Sequence, residues 1–573
     1  MAYRDAAFTN GYEFTEGSGY RLPEYPFEEP PELKRAEPGR HDIVIVGGGL
    51  AGLTLACALA NYGVEAVLLD EDNTVGVKGA SSRGICYTQK SLEIFHKLGI
   101  YDRIAAKGIQ WSVGRTFAGS DEVYWFDLRQ QSAYNLSSQP PFINIQQFYI
   151  EGYLVERIYE LGHVELRWKN RVTAFEQDAD KATLGVETPS GSYTIRAKHV
   201  IDATGSHTPF RKWVGAAVTA KKGDDRWCIA DVRFGADAPH AAERHTWIRA
   251  PFNDDRCVWQ HPMGDGVWRI DYQMAPDSDP GVVSREDVVL ERLKRHFGDR
   301  PFELVWVGPY AYRSECVDAM RHGHLFFMGD AAKVVSPFGA RGGNTGIADA
   351  DNLAWKLAAV MKGLAPPAVL DSYHEERHEA AQQNVLVTNR TARFLRPATE
   401  MERLFREAAI GLARQHLFAR NFVNTGRMAI ANPYSRSSIC EGGSGRPVQN
   451  VPFQWADGSP GVVNDLLGWA GAHLLVLLFG EASPAVLQRL RQLAMTAPVR
   501  CVQVLGPHDV PGAREHVRDP QGHLRGACHV FGHAWALVRP DSYLAATGEA
   551  VDGALVHAVA LALGAAMEER QAA

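Results

Sequence analysis

From His41 to Asp70 the chain changes from short β-branched runs to a helical pattern and back. Ile43-Val44-Ile45-Val46 offers no polar position, as expected of a strand buried on both faces. The spacing predicts a helix from about Leu50 to Asn61, stopped by Gly63, and Val64 to Asp70 reads as the next strand. Between about 180 and 320 the period shortens. Cys228–Phe234, His245–Ala250, Val258–Met263, Trp268–Met274 and Leu304–Tyr310 read as strands. The alternation Trp268-Arg269-Ile270-Asp271-Tyr272-Gln273 predicts an antiparallel sheet with one polar face. Helical patterns return after Asp349 and continue, with breaks, to about Arg427. Residues 1–40, rich in Pro, Glu and Arg, read as an extended arm, and 431–460, rich in Gly, Ser and Pro, as a linker. From 461 a smaller β/α unit of about 110 residues begins, with the apolar run 474–480 as a buried strand.

A chain of 573 residues exceeds one core and predicts two to four domains. Its formal charge of -7 and sequence pI near 6.3 give no reason to expect a nucleic-acid partner. The eight cysteines are scattered, with no CxxC spacing, which points to reduced, packed thiols rather than disulfides or zinc. MAYRDAAFTN lacks a signal pattern and no apolar run reaches transmembrane length, so a cytoplasmic protein without a membrane partner is expected.

Gly47-Gly48-Gly49-Leu50-Ala51-Gly52 places GxGxxG between a strand and a helix, and Asp70 closes the second strand 18 residues after Gly52. In this setting Gly47 permits the tight turn, Gly49 lets backbone approach a pyrophosphate and Gly52 lets helix and strand close up. The amides around Leu50 and Ala51 open the helix toward phosphate, and Asp70 is placed to accept from a ribose. The motif alone does not separate FAD from NAD.

Downstream, the strand Leu325-Phe326-Phe327-Met328 ends in Gly329-Asp330-Ala331-Ala332. Ser336-Pro337-Phe338-Gly339-Ala340-Arg341-Gly342-Gly343-Asn344 and a helix through Asn352-Leu353-Ala354-Trp355 follow. Across most of 41–430, the order and spacing of both motifs resemble the class A aromatic-hydroxylase family of flavoprotein monooxygenases, of the p-hydroxybenzoate, 3-(3-hydroxyphenyl)propionate and phenol hydroxylase types. The resemblance implies an α/β fold. It would have a Rossmann-like FAD-binding domain (41–220 with 321–430) and an antiparallel β substrate domain (221–320), while the stretches 474–480, 498–504 and 536–541 resemble the thioredoxin-like tail of phenol-hydroxylase relatives and imply such a domain over 461–573. It also implies that GxGxxG holds the ADP part of FAD, Gly329-Asp330 the ribityl chain, and the loop with Pro337 and Arg341 the flavin ring. Arg83 and Gln147 match the family's FAD-contacting arginine and glutamine. Independently, the Gly342, Gly343 and Asn344 amides at a helix start suit the flavin N1–C2=O edge, and Arg341 adds positive charge.

Two positions depart from the family. Thr204 stands where its Asp is expected, although Arg211 is kept, and Lys333 replaces the His after Gly-Asp-Ala-Ala. No second GxGxxG follows a strand, so NAD(P)H is expected as a transient co-substrate. Arg269 and Asp271 share one strand face, where Arg269 would stabilise a phenolate and Asp271 accept its proton. Ring attack on a flavin C4a-hydroperoxide would follow. The phenol hydroxylases it resembles have an Arg-x-Tyr pair in a comparable strand, so Asp271 is a substitution there. Periodicity fixes the shared face of Arg269 and Asp271 but not its direction. Tyr310, Tyr312, Trp247, Arg249, Trp259 and His261 are further wall candidates. The reading is an FAD- and NAD(P)H-dependent hydroxylase of a small, phenolic aromatic, taking oxygen, and a homodimer. A flavoprotein epoxidase or a catalytically reduced FAD-binding scaffold is the alternative.

Overall fold

The computed structural model describes residues 2–4, 22–35, 37–76, 84–234, 239–513, 515–530, 532 and 534–565. β1 (Gly39–Val46) ends in the fully apolar run read from the sequence, and Ile43 to Val46 are buried. α1 (Leu50–Asn61) is buried along almost its whole length, and Gly63 beyond it has φ +66°, the left-handed value a glycine stop supplies. β2 (Ala66–Leu69) follows. α2 (Gln147–Leu161) packs on α1, and β3 (Gly191–Asp202) pairs in parallel with β1. Val164–Arg167, β2, β1 and β3 are therefore parallel neighbours. Ala182–Thr188 and Arg171–Gln177 extend this sheet as an antiparallel wing.

The second sheet contains β4 (Val218–Phe234), β5 (Arg244–Ala250), β6 (Arg256–Pro262), β7 (Val267–Gln273) and β8 (Phe302–Val317). Its order is β8-β4-β7-β6-β5, continued by Val113–Ala118 and Asp121–Asp127. These last two strands come from within 41–220, so the antiparallel sheet recruits chain that the sequence reading gave wholly to the nucleotide domain. All seven residues of β7 are buried, so neither face of this strand meets solvent. Helix Glu286–Phe297 covers Trp268, Ile270 and Tyr272 through Val289 and Leu293. The opposite side of the sheet packs Trp227 and Trp259 against Phe338 and Ile410.

β9 (Leu325–Phe327) returns to the first sheet beside β3 and leads to α3 (Gly342–Met361), α4 (Asp371–Leu395) and α5 (Glu400–Gln415). The C-terminal sheet begins at Pro452–Trp455, inside the stretch expected to be a linker, because Phe453 is needed in its core. Its centre is Leu474–Phe479, parallel to Val499–Leu505 and antiparallel to Trp535–Val538. All eight cysteines are free. Among the described residues no helix is long and apolar enough to cross a membrane.

A buried polar network fastens this last unit to the helices beneath it. Glu376 of α4 accepts from Lys356 (2.8 Å) and Asn352 (2.6 Å) of α3, from Ser437 (2.6 Å), and from both ends of the Arg539 guanidinium. Arg539 also reaches Asp541 at 2.5 Å. Burial alone would raise the Glu376 carboxyl, but the charges of Arg539 and Lys356 outweigh it and hold it below the ordinary carboxylate range. Removing one member strands the others in a dry interior, which is far costlier than losing a surface pair.

Glu376→Gln should therefore lower stability at neutral pH by about 3–5 kcal/mol, read as the shift of the thermal or denaturant transition. The folded value lies below the unfolded one, so the contribution is complete above about pH 4.3 and fades as the pH falls through the folded value. The gap between wild type and variant should close toward strong acid. A gap independent of pH would refute the assignment.

Candidate functional site

The site is built on glycines. Gly47 has φ +107°, and a Cβ there would lie 2.6 Å from the Ala203 carbonyl oxygen. One at Gly52 would lie 2.0 Å from the Gly47 oxygen, so α1 can approach its strand this closely only with glycine at both places. Gly49 differs, since a Cβ there would meet nothing within 4 Å. It caps α1 without any side-chain hydrogen bond. Asp70 anchors the turn from below, its Oδ2 accepting from the Gly48 amide (2.5 Å) and its Oδ1 from Asp72 (2.8 Å).

The second motif lies directly against the first. Cβ atoms added at Gly343 and Gly329 would come 3.2 Å from Leu50 and 3.0 Å from Ala51. Gly329 has φ +58° and forms the turn that carries Asp330, a half-buried residue. Arg211 cups this turn, donating to the carbonyls of Ala331 (2.9 Å) and Asp330 (3.0 Å) while pairing with Glu315 (3.0 Å). Lys333 is buried and paired with Asp349, which also accepts from the Gly329 amide (3.1 Å) and from Arg377 (2.7 Å). The lysine thus braces the Gly-Asp turn from inside the core. Thr204 donates to Asp202 (2.7 Å), as does Thr208 (2.5 Å), and burial pushes the Asp202 carboxyl up to about 6. The acid of this segment is therefore two residues upstream of Thr204.

At the start of α3 a Cβ on Gly342 would again meet nothing within 4 Å. Asn344 spends its whole side chain on the scaffold, accepting from Thr88 (2.9 Å) and Ser91 (2.7 Å) and donating to Cys86 and Ala340 (2.8 Å each). Arg341 is turned toward Asn384 (2.7 Å) and the Arg427 carbonyl (3.1 Å), so its guanidinium braces the loop. Pro337 is half-buried and opens a turn in which its carbonyl accepts from Ala340 (3.0 Å). Gln147 joins the Gly84 amide (3.1 Å) to Glu151 (2.7 Å). Burial raises Glu151 to about 7 despite the bond from Gln147 and the nearby Gly76 and Leu50 amides. Arg83 lies outside the described residues.

Two helix N-termini without side-chain caps, each beside space left open at a glycine, make a cradle of the kind a dinucleotide fills. The residues present fit FAD in that respect.

On the facing side of the second sheet, Arg269 and Asp271 form a buried pair at 2.8 Å. Their register partners on β6 are His261 and Trp259, and Trp259 meets Phe338 of the motif loop edge to face at 5.1 Å. The Arg269–Asp271 face therefore turns toward that loop. Arg244, missed in the sequence, lies over Trp259 at 4.8 Å and donates to the Thr425 carbonyl (3.2 Å) and the Met428 sulfur (3.4 Å). Among the described residues it has no carboxylate at ion-pair distance, and burial lowers it to about 10. Starting β5 at Arg244 rather than His245 would have shown its alternation with Thr246 and Ile248. Burial holds His261 neutral, well below the usual histidine range, with Nδ1 3.8 Å from the Cys86 sulfur. Tyr310 packs at the edge of this cluster, and the Tyr312 side chain lies outside the described ones. Two wall candidates are corrected. Trp247 faces the other side of the sheet with Phe252 and His296, and Arg249 pairs with Glu407 at the rim (3.2 Å).

Comparison with known proteins bears on the same segments. The family described as "FAD binding domain" matches residues 40–388. The chain is 26% identical over 65% of its length to a 3-(3-hydroxy-phenyl)propionate/3-hydroxycinnamic acid hydroxylase of Mycolicibacterium smegmatis, and it spans 64% of that relative. A protein of the same description from Burkholderia cenocepacia is 25% identical over 76% of this chain and 79% of its own. Among solved structures, the flavin-dependent monooxygenase PieE in complex with FAD and substrate superposes with a TM-score of 0.76. That likeness, at 22% identity, covers 92% of this chain and 100% of that one, and concerns the fold. Both glycine-bearing helix starts and the Gly-Asp turn fall within the matched residues, and the chain belongs to the FAD-binding-domain family.

Proposed function

We propose that the protein is an FAD-dependent monooxygenase that hydroxylates a small phenolic aromatic, with NAD(P)H as a transient reductant. The observation that carries this reading is the buried Arg269–Asp271 pair on a face closed by Phe338 of the motif loop. The names of the relatives, hydroxylases of phenolic acids, support it. In this reading Gly47, Gly49, Leu50, Ala51, Gly52 and Asp70 hold the adenosine and pyrophosphate, Asp330 the ribityl chain, and the amides of Gly342, Gly343 and Asn344 the flavin edge. FAD supplies the activation of oxygen.

The chain's own residues do the rest. Asp271 takes the phenolic proton, and Arg269 holds the resulting negative charge in a water-poor chamber where such contacts are strong. Arg244, a buried cation that no described carboxylate meets at ion-pair distance, receives a second anionic substituent such as a carboxylate. Trp259 and Phe338 enclose the ring. The C-terminal unit is read as thioredoxin-like from the mixed order of its sheet, with a structural role because it has no CxxC.

The purified protein should carry or take up FAD without a covalent link. Gly49→Val fills space in which a Cβ meets no described atom within 4 Å, so it should leave the fold intact while weakening FAD at least about tenfold, or 1.4 kcal/mol. Asp330→Ala should do likewise. Unchanged FAD titrations would overturn the corresponding assignment.

Asp271→Asn should slow hydroxylation by about 100- to 10,000-fold, while NAD(P)H consumption continues and ends in hydrogen peroxide. Arg244→Gln should raise KM for a phenolic carboxylate much more than for its neutral amide. Product analysis on a panel of phenolic acids tests both, and tightly coupled, wild-type turnover in the two variants would sink the reading.

A further inference from the structure

Helix α5 carries three stripes at the 100° spacing of a helix. Ala409, Ile410 and Ala413 face inward into the cluster of Trp227, Trp259 and Phe338. Arg403, Glu407 and Arg414 form a charged stripe. Between them runs a third stripe of Met401, Leu404, Phe405 and Leu412, exposed and without cover among the described residues. The turn that follows, Leu417–Phe422, continues it with Leu417, Phe418 and Phe422. Met401 is 73% exposed, Leu417 76% and Phe418 63%. Scattered exposed apolar residues need no explanation, but a contiguous face of this kind marks an interaction surface.

Charge decides what covers it. Residues 386–430 contain eight arginines and three glutamates, a net of five positive charges in a chain whose formal charge is -7. Arg390, Arg393, Arg403 and Arg427 are exposed. Two of the three acids are already engaged, Glu402 in the cap of α5 and Glu407 with Arg249 and Arg406. A second copy seated here by a two-fold axis would bring this positive field against itself. An apolar stripe flanked by arginine suits an interface that is apolar inside and negative at its surface.

We infer that α5 and the turn Leu417–Phe422 dock the protein onto an anionic lipid surface, with α5 lying in the plane of the headgroups. This departs from the sequence expectation of no membrane partner. The docking face is the outer side of a helix whose inner side packs on the aromatic cluster of Trp227, Trp259 and Phe338. If the proposed hydroxylase reading holds, an apolar substrate dissolved in the bilayer would meet the chamber across one helix. The docking itself does not depend on that reading.

Flotation of the full-length protein with vesicles of equal parts phosphatidylglycerol and phosphatidylcholine tests it, without any activity measurement. The wild type should float with these vesicles, much less with phosphatidylcholine alone, and less in about 0.5 M salt, where charges are screened within a few ångströms. The double variants Leu404→Asp with Phe405→Asp, and Leu417→Asp with Phe418→Asp, should lower the bound fraction at least tenfold while keeping the far-ultraviolet circular dichroism of the wild type. Val556→Asp, at an exposed apolar residue of the C-terminal unit, should float as the wild type does. Absence of flotation, equal binding to phosphatidylcholine alone, or undiminished binding by both double variants would overturn the proposal. So would a dimer in sedimentation equilibrium that the double variants dissociate.

Discussion

Everything at the site depends on how closely α1 and α3 approach each other. Two helices with ordinary side chains at their contact keep their axes 8–10 Å apart. Here Gly343 and Gly346 of α3, with Gly329 of the preceding turn, receive Leu50 and Ala51 of α1, and each added methyl would crowd a neighbour at 3.0–3.3 Å. The crowding cannot be relieved by rotating a side chain where the contact is with a Cβ. The consequence is that both helix N-termini open near one another, and that Asp330 is carried on a turn whose first residue already touches α1. Glycine at these positions sets the distance between two parts of one ligand.

The same economy explains why side chains near the cradle point away from it. Asn344 makes four hydrogen bonds to protein partners, the most its amide can satisfy with two donors and a two-lone-pair acceptor. Arg341 reaches Asn384 and Arg427, and Arg211 and Lys333 hold the Gly-Asp turn from two sides. Each is spent on fixing backbone. Amides fixed in this way stay unpaired toward the open side at no further entropic cost, which is how a preorganised site differs from a flexible one.

The parts legible in the sequence were those that local physics determines. Ile43–Val46, α1 and its glycine stop follow from period and capping chemistry alone, and all lie where those rules put them. Alternation along Trp268–Gln273 shows that Arg269 and Asp271 share a face but not which way it turns, and only tertiary contacts reveal Phe338 across from it. Trp247 was misplaced for the same reason, since an aromatic in a doubly covered sheet is equally at home on either side. Lys333 looked like a defect in a family motif. Its meaning required Asp349, sixteen residues on, to be visible beneath it. The start of the C-terminal sheet was hidden because Gly, Ser and Pro around it mimic a linker, while one apolar strand residue, Phe453, does the anchoring.

The buried charges separate into two kinds, and the difference bears on where chemistry can occur. In the network of Lys356, Glu376, Arg539 and Asp541 opposite charges meet at hydrogen-bond distance on every side, so it is electrostatically closed and has nothing to offer a ligand. On the chamber face the balance differs. Arg269 and Asp271 close on each other, while Arg244 meets a carbonyl, a sulfur and an indole ring. A guanidinium held by neutral partners in a low-dielectric wall costs folding free energy, which burial expresses by lowering its proton affinity to about 10. In the proposed reading an incoming anion offsets that cost, and Arg244, which no described carboxylate meets at ion-pair distance, gives this face a preference for negative charge that its aromatic residues alone would not have.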